Sequence, residues 1–193
     1  MRAAIIPARG GSKRIPRKNV RSFHGKPIIA YSIETAMQSG LFSVVVVSTE
    51  DEEIGKIAMD YGAAVIARPD HLAEIGSPDP GTQEITRHAL DKMLLYGLEI
   101  DYACCIYATA PMLRISDLQI ACDDIEANPH VPFVYLDGQF YLGRTEAFMN
   151  HVPLDQGWKL EYSGPAIDIN TEDEWQRMEE VYANHRALVR PGG

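Results

Sequence analysis

Short, unbroken apolar runs alternate with helix-patterned segments through the first two-thirds of the chain. Nothing else in the sequence limits the fold as strongly. Ala3–Ala8, Ser43–Ser48, Ala63–Ile66 and Tyr102–Tyr107 read as strands. The first two, with Ile5-Ile6 and the valine run Val44–Val47, lack the polar alternation of a half-exposed strand. They suit strands buried on both faces. Between them lie helical segments. Lys26–Gln38 carries an apolar stripe, with Pro27 suited to its first turn and Gly40 to its end. A second helix is predicted to start at a Thr49 cap, with Glu52 completing a capping box, and to stop near Tyr61. Thr82 and Ser116 are expected to cap helices reaching about Tyr96 and Asn128. This β-α repetition predicts a parallel sheet with helices on both faces.

On such a sheet, ligands bind outside the carboxyl ends of the strands. The loop leaving the first strand, Pro7–Asn19, is PARGGSKRIPRKN. Arg9, Lys13, Arg14, Arg17 and Lys18 place five positive charges on it, and the first acid of the chain is Glu34. Gly10 and Gly11 would let the backbone approach a ligand and offer N–H groups as an anion nest. A cationic, glycine-containing loop at a strand's carboxyl end suits a polyphosphate. The loops after the third and fourth strands, residues 67–81 and Thr109–Arg114, should converge on the same crevice.

The charge distribution agrees. Residues 1–33 carry +8, the remainder −17, and the whole chain −9. An acidic body argues against nonspecific nucleic-acid binding, and a local basic patch suits a small anion. The longest apolar runs have strand length, and the start of the chain enters a strand without a signal-peptide pattern, so a cytoplasmic protein is expected. Cys104 and Cys105 are adjacent on a strand and should face opposite ways; with Cys122 they read as buried thiols. The six histidines are scattered, none with a partner at ligand spacing.

Residues 129–170 are less regular. Asn128–Pro132 reads as a break, Gly138–Leu142 as a strand, Tyr162–Ile169 as a stretch ending in another strand, and Asp173–His185 as a closing helix.

The opening loop is neither a Walker A motif nor GxGxxG. From Ala4 to Asn19, AIIPARGGSKRIPRKN, it resembles the N-terminal signature of the CMP-sialic acid synthetases (acylneuraminate cytidylyltransferases). Val47-Ser48-Thr49-Glu50-Asp51 with Ile54, Arg68-Pro69 with Leu72-Ala73, and Ile167–Thr171 with Trp175 are similar to further motifs of that family. Cys104–Pro111 and Gly138–Tyr141 most resemble its pseudaminic acid branch. The likeness covers about residues 3–127 and resumes over about 137–178.

The resemblance implies a three-layer α/β/α Rossmann-like nucleotidyltransferase fold with a mainly parallel mixed sheet, as one domain over residues 1–193. It implies that CTP and a nonulosonic acid, pseudaminic acid before others, give the CMP-sugar and pyrophosphate with Mg²⁺, for surface glycan or flagellin glycosylation. Arg9, Lys13, Lys18 and Asp168 would be catalytic. Ala8, Gly10, Gly11, Ser12, Asn19, Thr82, Tyr107 and Thr109 would bind the nucleotide. Arg114, Gln139 and Tyr141 would face the sugar, with a salt bridge as the alternative for Arg114 and a backbone bond for Gln139. Asp168 and Asn170 would hold the metal, although Asp168 also suits a helix cap.

Two departures stand out. Asn170 occupies a position where the family commonly has a second acid. Between Asn128 and Asp137, around 129–136, the family carries a few dozen more residues, which supply a sheet strand, sugar contacts and a dimer arm. The chain is either a shortened form or lacks a mobile segment there, and loss of the arm would weaken the homodimer. The alternatives are a synthetase for N-acetylneuraminic or legionaminic acid, and a CTP-binding homologue that has lost catalysis. No nucleic-acid or membrane partner is expected.

Overall fold

The computed structural model describes residues 1–73, 81–161 and 169–189. Its strands are β1 (Arg2–Pro7), β2 (Ser22–Phe23), β3 (Lys26–Pro27), β4 (Val44–Thr49), β5 (Ala64–Ala67), β6 (Tyr102–Ile106), β7 (Phe133–Leu136), β8 (Phe140–Arg144) and β9 (Trp158–Lys159). The helices are α1 (Ile28–Gln38), α2 (Glu52–Asp60), α3 (Asp70–Ala73), α4 (Gly81–Leu95), α5 (Ile115–Ala127), α6 (Thr145–Met149) and α7 (Glu172–Val189).

Seven strands form one sheet in the order β5-β4-β1-β6-β8-β7-β9, and β2 pairs with β3 in a separate ribbon. β5, β4, β1 and β6 are mutually parallel. β8 runs antiparallel to both β6 and β7, while β9 pairs parallel with β7. The sheet is therefore the expected mixed, mainly parallel one. β1 lies between β4 and β6, so successive connections leave it in opposite directions, and the crevice at its carboxyl end is the natural ligand site.

Each face of the sheet has its own core. On one, Ala4, Ile6, Val45, Val47, Cys104 and Ile106 pack with Ile29 and Ile33 of α1, Ile54 and Ala58 of α2, and Leu118 and Ile125 of α5. On the other, Ala3, Ile5, Val46, Ala103 and Phe133 meet Ala89, Leu90 and Met93 of α4 and Phe148 of α6. The side chains of β1 alternate between these cores, and both sets are buried, which is why its sequence shows no polar alternation. All three cysteines are buried and reduced. Burial pushes the Cys105 thiol up to about 12 and Cys122 to about 11.

A third cluster joins Ile15 of the cationic loop to Phe23, Ile28, Tyr31, Met112, Ile169, Trp175 and Met178. It docks α7 against that loop. Arg21 covers the Trp175 ring at 4.3 Å and forms a two-pronged ion pair with Glu172, at 2.7 and 2.6 Å.

Several expectations need correction. The first helix begins at Ile28, because Lys26 and Pro27 are used in the β2–β3 ribbon. Asp51, not Thr49, caps α2: its Oδ1 accepts the Ile54 N–H at 3.0 Å, while Thr49 Oγ1 accepts the N–H of Asp51. α4 starts at Gly81, and Arg114 rather than Ser116 occupies the cap position of α5. The 67–81 segment contains one helical turn, α3, while residues 74–80 lie outside the described residues. The stretch around 129–136 contains a strand, β7, which forms a hairpin with β8 through Gly138 in the left-handed region (φ 67°). The stretch Tyr162–Ile169, expected to end in a strand, lies outside the described residues except for Ile169.

Candidate active site

The cationic loop leaves β1 at its carboxyl end and folds back over the crevice. Ile15, fully buried in the third core cluster, anchors its middle. Asn19 is buried, and its Nδ2 donates to the Arg9 carbonyl at 3.0 Å, closing the loop on itself. A cavity of about 260 Å³ opens on this loop, lined by Arg9, Ser12, Lys13, Arg14, Lys18, Asn19 and Asn170. Among the described residues that line it, four are cations and none is an acid. A polyanion placed there would meet guanidinium and ammonium donors with amide and hydroxyl groups between them.

The far wall comes from the segment before α7. Lys18 Nζ donates to the Ile169 carbonyl at 2.5 Å, and Arg14 donates to Asn170 Oδ1 at 3.0 Å. The Asn170 N–H donates to Glu174, which also accepts from the Thr171 N–H, each at 2.7 Å. These contacts hold the Glu174 carboxyl below the usual carboxylate range.

The structure thus brings together Arg9, Ser12, Lys13, Lys18, Asn19 and Asn170, and adds Arg14, which the loop's charge count had contained without singling out. Other expected residues lie elsewhere. Ala8 is buried, with its N–H on the Ser48 carbonyl. Gly11 is exposed. The expected anion nest does not survive at Gly10: its N–H donates to Glu50 Oε1 at 2.7 Å. Thr109 is buried at the turn after β6.

Thr82, at the start of α4, meets the Tyr107 hydroxyl at 3.5 Å. Tyr107 begins an aromatic row, with Tyr141 at 6.3 Å between ring centres and Tyr135 stacked on Tyr141 at 5.2 Å. Burial raises the Tyr141 phenol above its ordinary range. Tyr135 was missed from the sequence because its strand was. Arg114 takes the salt-bridge alternative, gripping Asp117 through Nε and Nη2, the latter at 2.7 Å. Gln139 is fully buried: its carbonyl accepts the Tyr107 N–H at 2.8 Å, its Nε2 donates to the Gly138 carbonyl at 3.1 Å, and its Oε1 has no hydrogen-bond partner among the described residues. Asp168 lies outside the described residues. Among the described residues, no three His, Cys, Asp or Glu side chains gather to hold a metal. Asn170 supplies an oxygen, and Mg²⁺ takes such ligands together with phosphate oxygens and water.

The mixed, mainly parallel α/β sheet, with a cationic cavity at the carboxyl end of its central strand, has the nucleotidyltransferase fold. That fold is shared with a CMP:2-keto-3-deoxy-manno-octonic acid synthetase solved in complex with CTP, at a TM-score of 0.76 and 16% identity over 95% of this chain and 99% of that one. Residues 3–162 match the cytidylyltransferase family, and the chain belongs to it. It is 41% identical over 74% of its length to the pseudaminic acid cytidylyltransferase of Campylobacter jejuni serotype O:2, covering 57% of that protein. It is 44% identical over 64% of its length to the same enzyme from C. jejuni serotype O:23/36, covering 53%. The chain therefore spans little more than half the length of these relatives. No helix among the described residues is long and apolar enough to cross a membrane.

Proposed function

We propose that the chain is a cytoplasmic CMP-nonulosonate synthetase, transferring CMP from CTP to a nonulosonic acid, pseudaminic acid in the first instance, with release of pyrophosphate. The observation that carries this reading is the cavity on the opening loop, with four cations and no acid among its described lining residues, in a chain of the cytidylyltransferase family. One nucleotidyltransferase domain, residues 1–193, would do this work, as a homodimer.

The sugar's anomeric hydroxyl attacks the α-phosphate, and pyrophosphate departs in line. Such a transfer asks mainly for positioning and charge neutralisation. Arg9, Lys13, Arg14 and Lys18, which line the cavity, would take the charge that develops on the β- and γ-phosphates. Ser12 and Asn19 add neutral donors that fix orientation. Thr82 and Tyr107 border the nucleoside, and Tyr141 the sugar. Asp168 and Asn170 would hold Mg²⁺, whose added charge neutralises the phosphates when bound. In the described geometry the Asn170 oxygen accepts from Arg14, so metal and Arg14 compete for it.

The test is pyrophosphate release from CTP with pseudaminic, legionaminic and N-acetylneuraminic acids. Release with pseudaminic acid alone is the expected result, and release with none overturns the reading. The Arg14–Asn170 contact also favours a second reading, a CTP-binding homologue without turnover, which predicts CTP uptake in calorimetry that is independent of Mg²⁺.

A further inference from the structure

The fifth cation of the loop does not line the cavity. Arg17 turns instead to the junction of β4 and α2, where its guanidinium grips Asp51 through both terminal nitrogens, Nη2 to Oδ1 at 3.0 Å, and also reaches Glu53. Asp51 is half-buried, and the Arg17 contact, with the Ile54 N–H, holds its carboxyl below the usual range. Arg17 sits in the left-handed region, φ 56° and ψ 29°, immediately before the 3-10 turn Lys18–Val20. A residue with a Cβ rarely adopts that conformation unaided, so an outside contact must hold it there. The same carboxylate approaches Gly10 so closely that a Cβ on Gly10 would collide with it. Its neighbour Glu50 accepts the Gly10 N–H. The β4–α2 junction therefore grips the loop at both ends, at Gly10 and at Arg17, while the residues between and just after face the cavity.

We infer that Asp51 is a positioning residue for the triphosphate. Through Arg17 it fixes the end of the cationic loop, so that Lys18 and Asn19 are presented to the phosphates without rearrangement. Glu50 does the same at the start of the loop by holding Gly10. Neither acid touches the ligand, which explains why two carboxylates can stand beside an anion site without opposing it: Arg17 neutralises one, and the other points at a backbone N–H, with Arg68 4.0 Å away. The inference rests on the reading that the cavity binds the triphosphate of CTP.

Asp51 also caps α2, so the informative variant is D51N, which keeps an acceptor for the Ile54 N–H but loses the ion pair. R17N removes the pair from the other side and tolerates the left-handed conformation. R17K keeps one charge contact. In the full chain, binding of CTP and of inorganic tripolyphosphate is measured by calorimetry, together with the KM for each substrate and the thermal midpoint. D51N and R17N should weaken both ligands roughly tenfold, as misplaced binding groups do. The KM for CTP should rise with them, the KM for the sugar should stay, and R17K should recover part of the loss. The inference is overturned if D51N binds tripolyphosphate as the wild type does, or if both KM values rise together with a collapse of the thermal midpoint. Binding of tripolyphosphate that depends on Asp51, in a wild type that turns over no CTP, would sustain the positioning role and overturn the catalytic reading.

Discussion

Lys18 and Ile169 are 151 positions apart, yet the Lys18 ammonium donates to the Ile169 carbonyl at 2.5 Å. This contact ties the cationic loop to the segment entering α7, so one lysine both faces the cavity and braces its far wall. K18M should therefore do more than remove one charge. We expect CTP binding to fall by about 100-fold, consistent with loss of a charge-assisted contact of about 1.5–3 kcal/mol together with loosening of the wall. Calorimetry on K18M beside K13M checks this, since Lys13 is exposed and a single charge loss there should cost about tenfold. Equal losses for the two variants would remove the bracing role.

Trp175 carries the same coupling on the apolar side. It is fully buried against Phe23 and Ile15, while Trp158 is 44% exposed. W175A should cost about 3–5 kcal/mol, the range for truncating a buried aromatic, and W175F much less. Urea unfolding measures the difference. In the native protein acrylamide should quench Trp158 and spare Trp175, so W158F should leave a poorly quenched emission.

Much of this architecture was legible, and the reasons differ from element to element. β1, β4 and β6 were readable because burial on both faces leaves their sequences uniformly apolar. The cationic loop was readable because five charges without an acid admit few other meanings. β7 was not, since Phe133–Leu136 is four residues beside a Pro-rich break, and pairing with β8 makes it a strand. Two caps moved by two residues for different reasons: Asp51 is held by Arg17 across 34 positions, while Arg114 pairs locally with Asp117 in the first turn of α5. The Gly10 N–H looked available to phosphate until folding brought Glu50 to it across 40 positions. Long-range contacts of that kind have no local signal.

The buried thiols set an alkaline limit. The folded values of Cys105, about 12, and Cys122, about 11, lie above their ordinary value. The native state keeps these protons where the unfolded chain would release them, so their contribution is intact below about pH 8.5 and is lost as pH rises through the folded values. Stability should fall above about pH 9 by up to ~1.4 kcal/mol per pH unit for each thiol. Denaturant midpoints from pH 8 to 11 check the slope, and C105A should flatten it. Native protein at pH 8 should react with a thiol reagent only after unfolding.

Gly143 lies under an aromatic pair. A Cβ there would run into the Phe133 ring and come within 2.9 Å of Phe148, whose ring packs edge-on against Phe133 at 4.9 Å. G143A should cost about 1–3 kcal/mol, as overpacking does. G143A combined with F133L should recover part of it, read from urea midpoints. A G143A protein as stable as the wild type would mean that the β7–β8 hairpin gives way freely at this point.

Asn170 lines the cavity, and its side-chain oxygen accepts from Arg14 at 3.0 Å. N170D would place a second acid two positions after Asp168. Against the cation-rich wall it would pair with Arg14 and withdraw a positive charge from the triphosphate; toward a divalent ion it would add a charged hard-oxygen ligand. The two effects are separable. CTP binding without metal should weaken several-fold in N170D, whereas the Mg²⁺ concentration giving half-maximal pyrophosphate release should fall about tenfold, a gain of about 1.4 kcal/mol. Titrating Mg²⁺ at saturating CTP measures the second, and calorimetry in chelator the first. If the Mg²⁺ midpoint does not move while metal-free CTP binding weakens, Asn170 serves the phosphate wall through Arg14 and takes no part in holding the metal.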